Sequence, residues 1–386
     1  MQFHLSEEHK SVQAAARDFV QSRLLDGVIE RDTHMIHPTE QVKEMGKLGF
    51  MGIMNDPTYG GSGMDSLSYV LALEEISKID ASAAVIMSVQ NSLVLFALDT
   101  YGSKMQKERY MTPLATGQRI GCFCLSEPET GSDATMQRTT ASDQGDHYLL
   151  NGVKNWITNG GQADYQLVIA QTNPEKKHRG INAFIVEKNW EGVTIGPKED
   201  KMGIRSSDTH SISYADVKVP KENRIGEDGF GFSLAMKILE GGRIGIAAQA
   251  LGIAAGAYEL SVKYANIRKA FGKPIIEHQA VAFKLAEMAT DIEAARMLVY
   301  RAAYLKDQGL PYGHASAMAK LKASDVAMKH TVEAVQIHGG NGYVKEYHVE
   351  RLMRDAKITQ IYEGTSEIHK IIISRNIMKG ELALPL

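Results

Sequence analysis

One carboxylate, Glu363, lies in the stretch of this 386-residue chain whose residue types best suit proton-transfer chemistry. It follows apolar Ile361 and Tyr362 and precedes Gly364, which permits a close backbone approach, and Thr365, a good helix N-cap. Burial among apolar neighbours raises the pKa of a carboxyl group toward the range in which it works as a general base. On these residues alone, an ordinary glutamate beside a helix cap is the commoner arrangement, so both interpretations stay open.

Two further segments have residue types that suit a flat, acceptor-rich ligand. Residues 124–133, CLSEPETGSD, combine the Ser126 hydroxyl with a turn whose exposed amides can face such a ring. In residues 154–161, KNWITNGG, the Trp156 indole and the Thr158 hydroxyl share one face of an extended segment, where they can flank and hydrogen-bond a heteroaromatic ring. A simple turn and a core tryptophan are the respective alternatives.

Two basic segments are candidates for binding anionic groups. Arg243 begins an otherwise apolar helical stretch and requires an anionic ligand, a carboxylate such as Glu240 or Glu363, or solvent. Residues 267–280 could bind a pyrophosphate or form an exposed helix end. Their polar candidates are Arg268, Lys269, His278 and Gln279.

Missing motifs exclude several classes of function. No GxGxxG opens a helix after a strand, and there is no P-loop, HExxH or GxSxG motif, so Rossmann nucleotide binding, zinc proteolysis and serine hydrolysis are unsupported. The net charge of −3 argues against nucleic-acid binding. The two cysteines, Cys122 and Cys124, share one face of a predicted strand and cannot alone form a zinc site, so we expect them to pack in a core.

Hydrophobic periodicity predicts an α+β, mainly helical protein with an N-terminal helical domain (1–117), a central antiparallel β-domain (118–228) and a C-terminal four-helix bundle (229–386). The β-domain is expected to be antiparallel because its connections are too short for helical crossovers. The predicted strands are 120–125, 148–153, 165–170, 182–187 and 211–217. The predicted helices begin at Ser6 and Thr39 and cover 66–79, 81–99, 103–115, 229–240, 242–268, 278–307, 313–338 and 366–379.

The chain has no predicted membrane span or targeting segment. Its most apolar stretch, 81–98, is broken by Ser88, Gln90, Asn91 and Ser92 and therefore predicts a buried helix. The N-terminal residues lack the basic and apolar regions of a signal peptide. These features predict a soluble protein of the bacterial cytoplasm or, as a mature chain, of the mitochondrial matrix.

In their order along the chain, seven motifs closely resemble the acyl-CoA dehydrogenase family of flavoenzymes, and most of all its short-chain, butyryl-type members. The motifs are CFCLSEPETGSD, NWITNGG, EDKMGIRSSDTHSI, LEGGRIGIAAQALG, RKAFGKPIIEHQA, IHGGNGYVKEY and MRDAKITQIYEGTSEI. The resemblance covers essentially the whole chain. It implies an acyl-CoA substrate, FAD bound between the central and C-terminal domains and across a subunit boundary, a homotetramer built as a dimer of dimers, and electron transfer to an electron-transfer flavoprotein.

The resemblance also implies roles for individual residues. Glu363 would remove the α-proton of the thioester while the β-hydride passes to the flavin. The implied FAD contacts are Phe123, Cys124, Leu125, Ser126, Ser132, Trp156, Ile157, Thr158, Arg268, Gln279, Gln336, Ile337, Gly339, Gly340, Thr365 and Glu367. The implied acyl-CoA contacts are Ser132, Glu240, Arg243, Tyr362 and Gly364.

Two sequence details narrow the expected activity within the family. Gly242 stands where isovaleryl- and long-chain-type members carry their base, which leaves Glu363 as the candidate here. Ala83, Ala84 and Val85 stand where glutaryl-type members carry a substrate-binding arginine, so a dicarboxylate substrate is disfavoured. An oxygen-using acyl-CoA oxidase, a dehydrogenase of branched short chains and a catalytically silent CoA-binding protein remain alternatives.

Overall fold

The computed structural model describes residues 4–380, which form an N-terminal helical domain, a central sheet domain and a C-terminal helical domain. The predicted boundaries at 117/118 and 228/229 fall in the segments that connect these regular elements, and they stay predictions. The outer limits of the predicted first and third domains, residues 1–3 and 381–386, lie outside the described residues.

Capping residues set where the N-terminal helices begin. Ser6 and Ser103 each form a reciprocal capping box with the residue three positions on, which confirms both as helix starts. π-Helical turns extend several helices, and the turn Val89–Leu95 joins two of them into one continuous helix, Ala81–Tyr101. The helices are α1 (Glu7–Phe19), α2 (Val28–His34), α3 (Thr39–Lys47), α4 (Ser66–Ser77), α5 (Ala81–Ser88), α6 (Phe96–Tyr101), α7 (Lys104–Gln106) and α8 (Thr112–Ala115).

The central sheet is mixed, with the order β6-β7-β3-β2-β4-β5-β8 and β1 beside β4. Most neighbours are antiparallel as predicted, but β1 lies parallel to β4, and β2 also meets the end of β4 in parallel. The long segment between β1 and β4, which contains two other strands, allows this crossover. The strands are β1 (Gly121–Cys124), β2 (Thr140–Asp143), β3 (His147–Thr158), β4 (Tyr165–Gln171), β5 (Ile181–Glu187), β6 (Val193–Lys198), β7 (Thr209–Pro220) and β8 (Arg224–Ile225).

The C-terminal domain differs from the prediction at its first helix and at α12 (Val349–Ile358), which was not predicted. The predicted helices 229–240 and 242–268 are one 37-residue helix that passes through Gly241 and Gly242 without a break. Three long helices pack together, and two shorter ones pack against α11. The elements are α9 (Gly231–Ile267), the hairpin strands β9 (Lys269–Ala270) and β10 (Lys273–Pro274), α10 (Gln279–Asp307), α11 (Gly313–His338), α12 (Val349–Ile358) and α13 (Ser366–Met378).

Within the described part of the chain, two helices are long and apolar enough to cross a membrane by length and composition alone, namely Ala81–Tyr101 and Gly231–Ile267. Their most apolar windows are 94% and 83% buried inside the protein, as in core helices. The prediction that 81–98 forms a buried helix is therefore confirmed.

Arg354 on α12 ties all three domains together. Its guanidinium donates to the Asp32 carboxylate of α2 (2.7 Å), to the backbone oxygen of Met202 between β6 and β7 of the central sheet (3.0 Å), and to Glu350 on its own helix. These bonds fix the orientation of α12, whose C-terminal end leads directly into the turn that carries Glu363.

Candidate active site

Glu363 lies in a strained turn between α12 and α13. Its backbone has φ +50°, a left-handed conformation that is uncommon for residues other than glycine, and Gly364 follows with φ +98°. Thr365 caps α13 by accepting the backbone N–H of Ile368, which confirms its predicted N-cap role. Such strain is typical of functional sites, because the surrounding structure has to hold it in place.

The carboxylate of Glu363 points into the protein, and its buried Oε2 has no hydrogen-bond partner within the described residues 4–380. It lies against α9 at Gly242, where an added Cβ would overlap Oε2 and approach Leu93 Cδ2 to 2.8 Å. Burial raises the pKa of Glu363 to about 7, although the charges of Lys320 and Arg243 oppose the rise. A buried, unpaired carboxylate with a pKa near neutrality has the properties of a general base.

Arg243 lies one residue beyond Gly242 on the same helix, and its side chain is buried. Its Nε atom has no hydrogen-bond partner, and among residues 4–380 no ion pair within 4.0 Å involves its guanidinium. Burial lowers its pKa, while Glu240, Glu363 and Tyr312 act in the opposite direction. Of the three partners considered from the sequence, neither carboxylate is paired with it, so the arrangement favours an anionic or strongly polar ligand.

The two predicted ring-binding segments adjoin each other. The backbone N–H of Asn155 donates to the Ser126 oxygen (2.8 Å), and the Lys154 ammonium donates to the Leu125 oxygen (3.0 Å). Trp156 has φ +61° and its indole is 60% exposed, so it is not the core tryptophan of the alternative interpretation. Thr158, at the end of β3, is partly buried.

Not every predicted residue in these segments presents its side chain to the same side. The side chains of Cys124 and Ile157 are buried in the β-domain core, where the Cys122 and Cys124 sulfurs lie 3.6 Å apart, so the expected core packing of both cysteines is confirmed. Cys124 and Ile157 can therefore offer only backbone atoms to a ligand. Phe123 is partly buried, and Ser132 is exposed on the loop after β1.

A buried ion pair anchors this loop. The Lys154 ammonium donates to Glu127 Oε1 (2.8 Å), and Glu127 also accepts the backbone N–H groups of Arg138 and Thr139. Burial alone would raise the pKa of Glu127, but Lys154 and these donors hold it below its usual value.

We expect Lys154→Met to destabilise the folded protein by about 3–5 kcal/mol, because it leaves the buried Glu127 without its counter-charge. Thermal and urea unfolding would measure the loss. Lys218→Met, at an exposed position on β7, is the matched control and should change stability little. Equal stability of the two variants would contradict the anchoring role.

The π-helical turn Val89–Leu95 connects the ring-binding segments to Glu363. Gln90 accepts the backbone N–H of Gly121 at the start of β1 (2.8 Å), and Val94 fills the space beside the same glycine. Leu93, on the same turn, packs beside Gly242 and the Glu363 carboxylate. This turn links the start of β1 to the Glu363 turn, so we treat four predicted segments as one group: 123–126, 156–158, 240–243 and 362–367.

A second predicted group lies at the opposite end of α9. Arg268 follows the last residue of α9, and Gln279 begins α10; both are exposed and flank the β9–β10 hairpin. The end of α11 lies beside them, because Asn341 donates to the Tyr264 hydroxyl (2.9 Å) and His338 stacks on Tyr264. At about 1.5 Å per helical residue, Arg243 and Arg268 are about 38 Å apart.

The residues of this distal group differ in exposure. Gln336, Gly339 and Gly340 are exposed, and an added Cβ on either glycine would meet nothing within 4 Å. Ile337 is buried, so it contributes its backbone at most. Glu367, in the first turn of α13, is exposed near the Glu363 turn and belongs to the first group.

Three side chains near Glu363 were not predicted from the sequence: Lys320, Gln249 and Tyr69. Lys320 on α11 is fully buried, and Gln249 on α9 accepts the hydroxyl of Tyr362, which was predicted. Tyr69 on α4 is also fully buried and donates to Ser88 (3.0 Å). Lys320 lies at helical spacing from buried alanines of α11, so the sequence pattern could have indicated that this lysine is buried.

The residues present suit a flavin dinucleotide. The exposed, conformationally fixed indole of Trp156 and the adjoining Ser126 and Thr158 hydroxyls match a planar, hydrogen-bonding ring, while exposed Arg268 and the open glycines 339 and 340 match a pyrophosphate. Because of the separation along α9, the two groups of one chain do not face the same ring.

Family models match nearly the whole described chain. Residues 6–118 match the acyl-CoA dehydrogenase N-terminal domain, 122–217 the middle domain and 229–378 the C-terminal domain. The chain is 48% identical over 379 residues to a short-chain specific acyl-CoA dehydrogenase of Clostridium acetobutylicum, covering 98% of this chain and 100% of that protein.

Comparison with solved structures leads to the same family. Butyryl-CoA dehydrogenase from Megasphaera elsdenii superposes with a TM-score of 0.96 at 48% identity, covering 98% of this chain and 100% of that one. A chain from a structural study of the electron transferring flavoprotein of Acidaminococcus fermentans, concerned with flavin-based electron bifurcation, gives 0.97 at 48% identity with the same coverage. The protein therefore belongs to the acyl-CoA dehydrogenase family, whose members are flavoprotein oxidoreductases.

Proposed function

We propose that this protein catalyses the FAD-dependent α,β-dehydrogenation of short-chain acyl-CoA thioesters to trans-2-enoyl-CoA, with Glu363 as the base. The observation that carries the proposal is the Glu363 carboxylate, whose Oε2 is buried without a hydrogen-bond partner among residues 4–380 and whose pKa is raised to about 7 by burial. At neutral pH a substantial fraction of such a group is ionised and can accept a weakly acidic α-proton.

The residues around Glu363 suit this chemistry. The Glu363 carboxylate takes the α-proton, and the backbone N–H of the same residue is available to the thioester oxygen as charge develops there. Glu240 and Arg243 on α9, with Tyr362 and Gly364 beside the base, would bind the acyl-CoA, and exposed Ser132 would reach it from the loop after β1. Bound FAD supplies the acceptor for the β-hydride.

The cofactor is proposed to lie across two chains. Phe123–Ser126, Trp156–Thr158, Thr365 and Glu367 would hold the ring end in one subunit. Because the distal group is about 38 Å away along α9, Arg268, Gln279 and 336–340 of a neighbouring copy would hold the phosphate end.

An oligomer, proposed as a homotetramer built from two dimers, also accounts for exposed apolar side chains. Phe271 at the hairpin tip is 97% exposed, and Ile267 beside it is 70% exposed. Phe283 on α10 and Met378 on α13 are exposed as well. An assembly would cover such a surface, which is unusual for a monomer. Likeness to the chain from the electron transferring flavoprotein study supports such a flavoprotein as the electron acceptor.

We expect kcat/KM to fall steadily from four- to eight-carbon acyl-CoAs. Beside Gly245, three residues beyond Gly242, the Tyr69 and Ser88 hydroxyls would lie within 2.5 Å of an added Cβ, so we expect the acyl site next to Glu363 to be short on this side. Each added methylene should therefore cost about 1–3 kcal/mol of transition-state stabilisation. Steady-state kinetics with this series, together with a branched four-carbon chain, would measure the preference. A maximum at eight carbons would contradict it.

The direct test of the proposed function is turnover by the purified holoenzyme. Butyryl-CoA should bleach the flavin absorbance without oxygen and, with an artificial electron acceptor, yield trans-2-butenoyl-CoA by mass spectrometry. Little peroxide should form under air. Stoichiometric peroxide would indicate an oxidase instead, and a colourless protein that takes up no FAD would indicate a silent CoA-binding protein.

A further inference from the structure

Lys320 occupies an unusual position for a lysine. It lies on α11, its side chain has 0% exposure, and its ammonium donates to two backbone oxygens, that of Tyr362 (2.7 Å) and that of Gly364 (2.5 Å). These two residues flank Glu363 in sequence. One buried cation thus binds the peptide groups on both sides of the proposed base.

We propose that Lys320 is a positioning residue for Glu363, which holds the strained turn in its left-handed conformation and, when protonated, places a positive charge near the base. The proposal rests on the proposed function and adds a residue to it. Burying a charged ammonium is costly unless its hydrogen bonds are satisfied, and the two carbonyl acceptors meet that need.

The two hydrogen bonds from Lys320 hold the part of the turn that has unfavourable backbone angles. Glu363 at φ +50° and Gly364 at φ +98° both leave the usual helical and extended regions, and a non-glycine residue held there costs about 1–3 kcal/mol. Without the ammonium, the carbonyls of residues 362 and 364 would lose their shared donor. The turn could then relax and move the carboxylate away from α9.

Lys320 is close enough to influence Glu363 but does not neutralise it. In the described part of the chain, no ion pair within 4.0 Å joins the two side chains, so the carboxylate keeps its oxygen free for a proton. Burial lowers the pKa of Lys320 to about 7, with Glu363 opposing and Arg243 reinforcing the fall. The positive charge of Lys320 in turn lowers the pKa of Glu363 against the effect of burial.

The other groups around this pair do not duplicate the function of Lys320. From α9, Arg243 also faces Glu363, but it donates to neither flanking carbonyl. From α13, His369 packs against Gly364 and is buried, and burial together with Lys320 and Arg243 lowers its pKa to about 3, so it is neutral. Tyr69 from α4 is neutral as well, because burial raises its pKa.

The test uses the FAD-loaded enzyme with Lys320→Met and Lys320→Gln, and measures flavin reduction by butyryl-CoA from pH 5.5 to 9. Methionine removes both bonds and the charge, so the rate should fall about 10- to 100-fold. The acid limb of the pH–rate profile, where protonation of Glu363 lowers the rate, should move up by about one pH unit. The reason is that Glu363 loses a nearby cation that favours its ionised form. Glutamine keeps donor groups without charge, so the acid limb should move while the rate falls less.

Lys306→Met is the matched control. Lys306, on α10, is another lysine whose pKa burial lowers, but its ammonium lies near Met54 and the Phe96 ring instead of the Glu363 turn. The Lys306→Met substitution should leave the acid limb of the pH–rate profile in place. FAD content and thermal midpoint are measured for every variant; if the methionine variant does not fold, the glutamine variant decides.

The outcomes separate the two proposals. A folded, FAD-loaded Lys320 variant with the wild-type rate and acid limb overturns the positioning role while leaving the proposed function intact. A wild-type enzyme that forms no enoyl product overturns both. A shift of the acid limb in Lys306→Met equal to that in Lys320→Met would also overturn the positioning role, because the effect would then be general to buried lysines.

Discussion

Replacing Glu363 by glutamine is expected to slow flavin reduction by butyryl-CoA by about 10³- to 10⁴-fold, because an amide of the same shape cannot accept the α-proton. The fold should survive the change. Oε2 of Glu363 has no protein partner to lose, and burial already disfavours its charged form, so a neutral side chain should leave stability equal or slightly higher. Anaerobic stopped-flow absorbance measures the rate, and thermal unfolding measures the stability.

A matched carboxylate separates the loss of this base from a general loss of charge. Glu191→Gln removes an exposed glutamate between β5 and β6, and we expect it to keep the wild-type rate. Retention of near-normal turnover by the Glu363 variant would require another base. Retained FAD together with the loss of rate would place the defect in proton transfer and not in cofactor binding.

Adding one methyl group at Gly242 is expected to reduce turnover about 100-fold and to lower the stability of the folded protein only slightly. The new Cβ would overlap Oε2 of Glu363 and press on Leu93, so the carboxylate must move, and a displacement of about 1 Å can cost that much in rate. Alanine favours a helix over glycine by about 1 kcal/mol, which offsets part of the crowding. The rate should therefore fall strongly while the thermal midpoint changes little.

The neighbouring glycine provides a close control for this variant. A Cβ on Gly241 would meet only Ser92 O and the Tyr312 hydroxyl, both at 3.9 Å, which is ordinary contact. We expect Gly241→Ala to gain the same helix propensity and to keep most of its activity. Equal losses in the two alanine variants would mean that the helix itself, and not the space beside Glu363, sets the rate.

Local signals predicted the features that depend on neighbours in sequence. Ser6, Ser103 and Thr365 act as caps as expected, since a capping side chain bonds to a backbone N–H two or three residues on. The short strands β2 and β6 and the short helix α2 were missed. These elements are mostly polar or partly exposed and are stabilised by strand pairing or packing instead of periodicity.

Features that depend on contacts between distant segments were not predictable in the same way. The glycine pair at 241–242 predicts a helix break, yet α9 continues through it, and the missing side chain of Gly242 makes room for Glu363. Lys320 is separated from Glu363 by most of α11, all of α12 and two turns, so its bonds to the carbonyls of 362 and 364 follow only from packing. The sequence alone also did not show that the predicted cofactor residues form two remote groups, because that separation depends on the length of α9.

The unbroken course of α9 has a consequence for the smallest working unit. A rigid helix keeps its residues at a constant spacing, with Gly242 behind the base in its first half and Arg268 beside the open hairpin at its C-terminal end. If cofactor sites are shared as proposed, each α9 would contribute residues both to the active site of its own chain and to that of the neighbouring chain. An isolated chain would then hold two incomplete halves, and pairing of chains would be a requirement for chemistry as well as for stability.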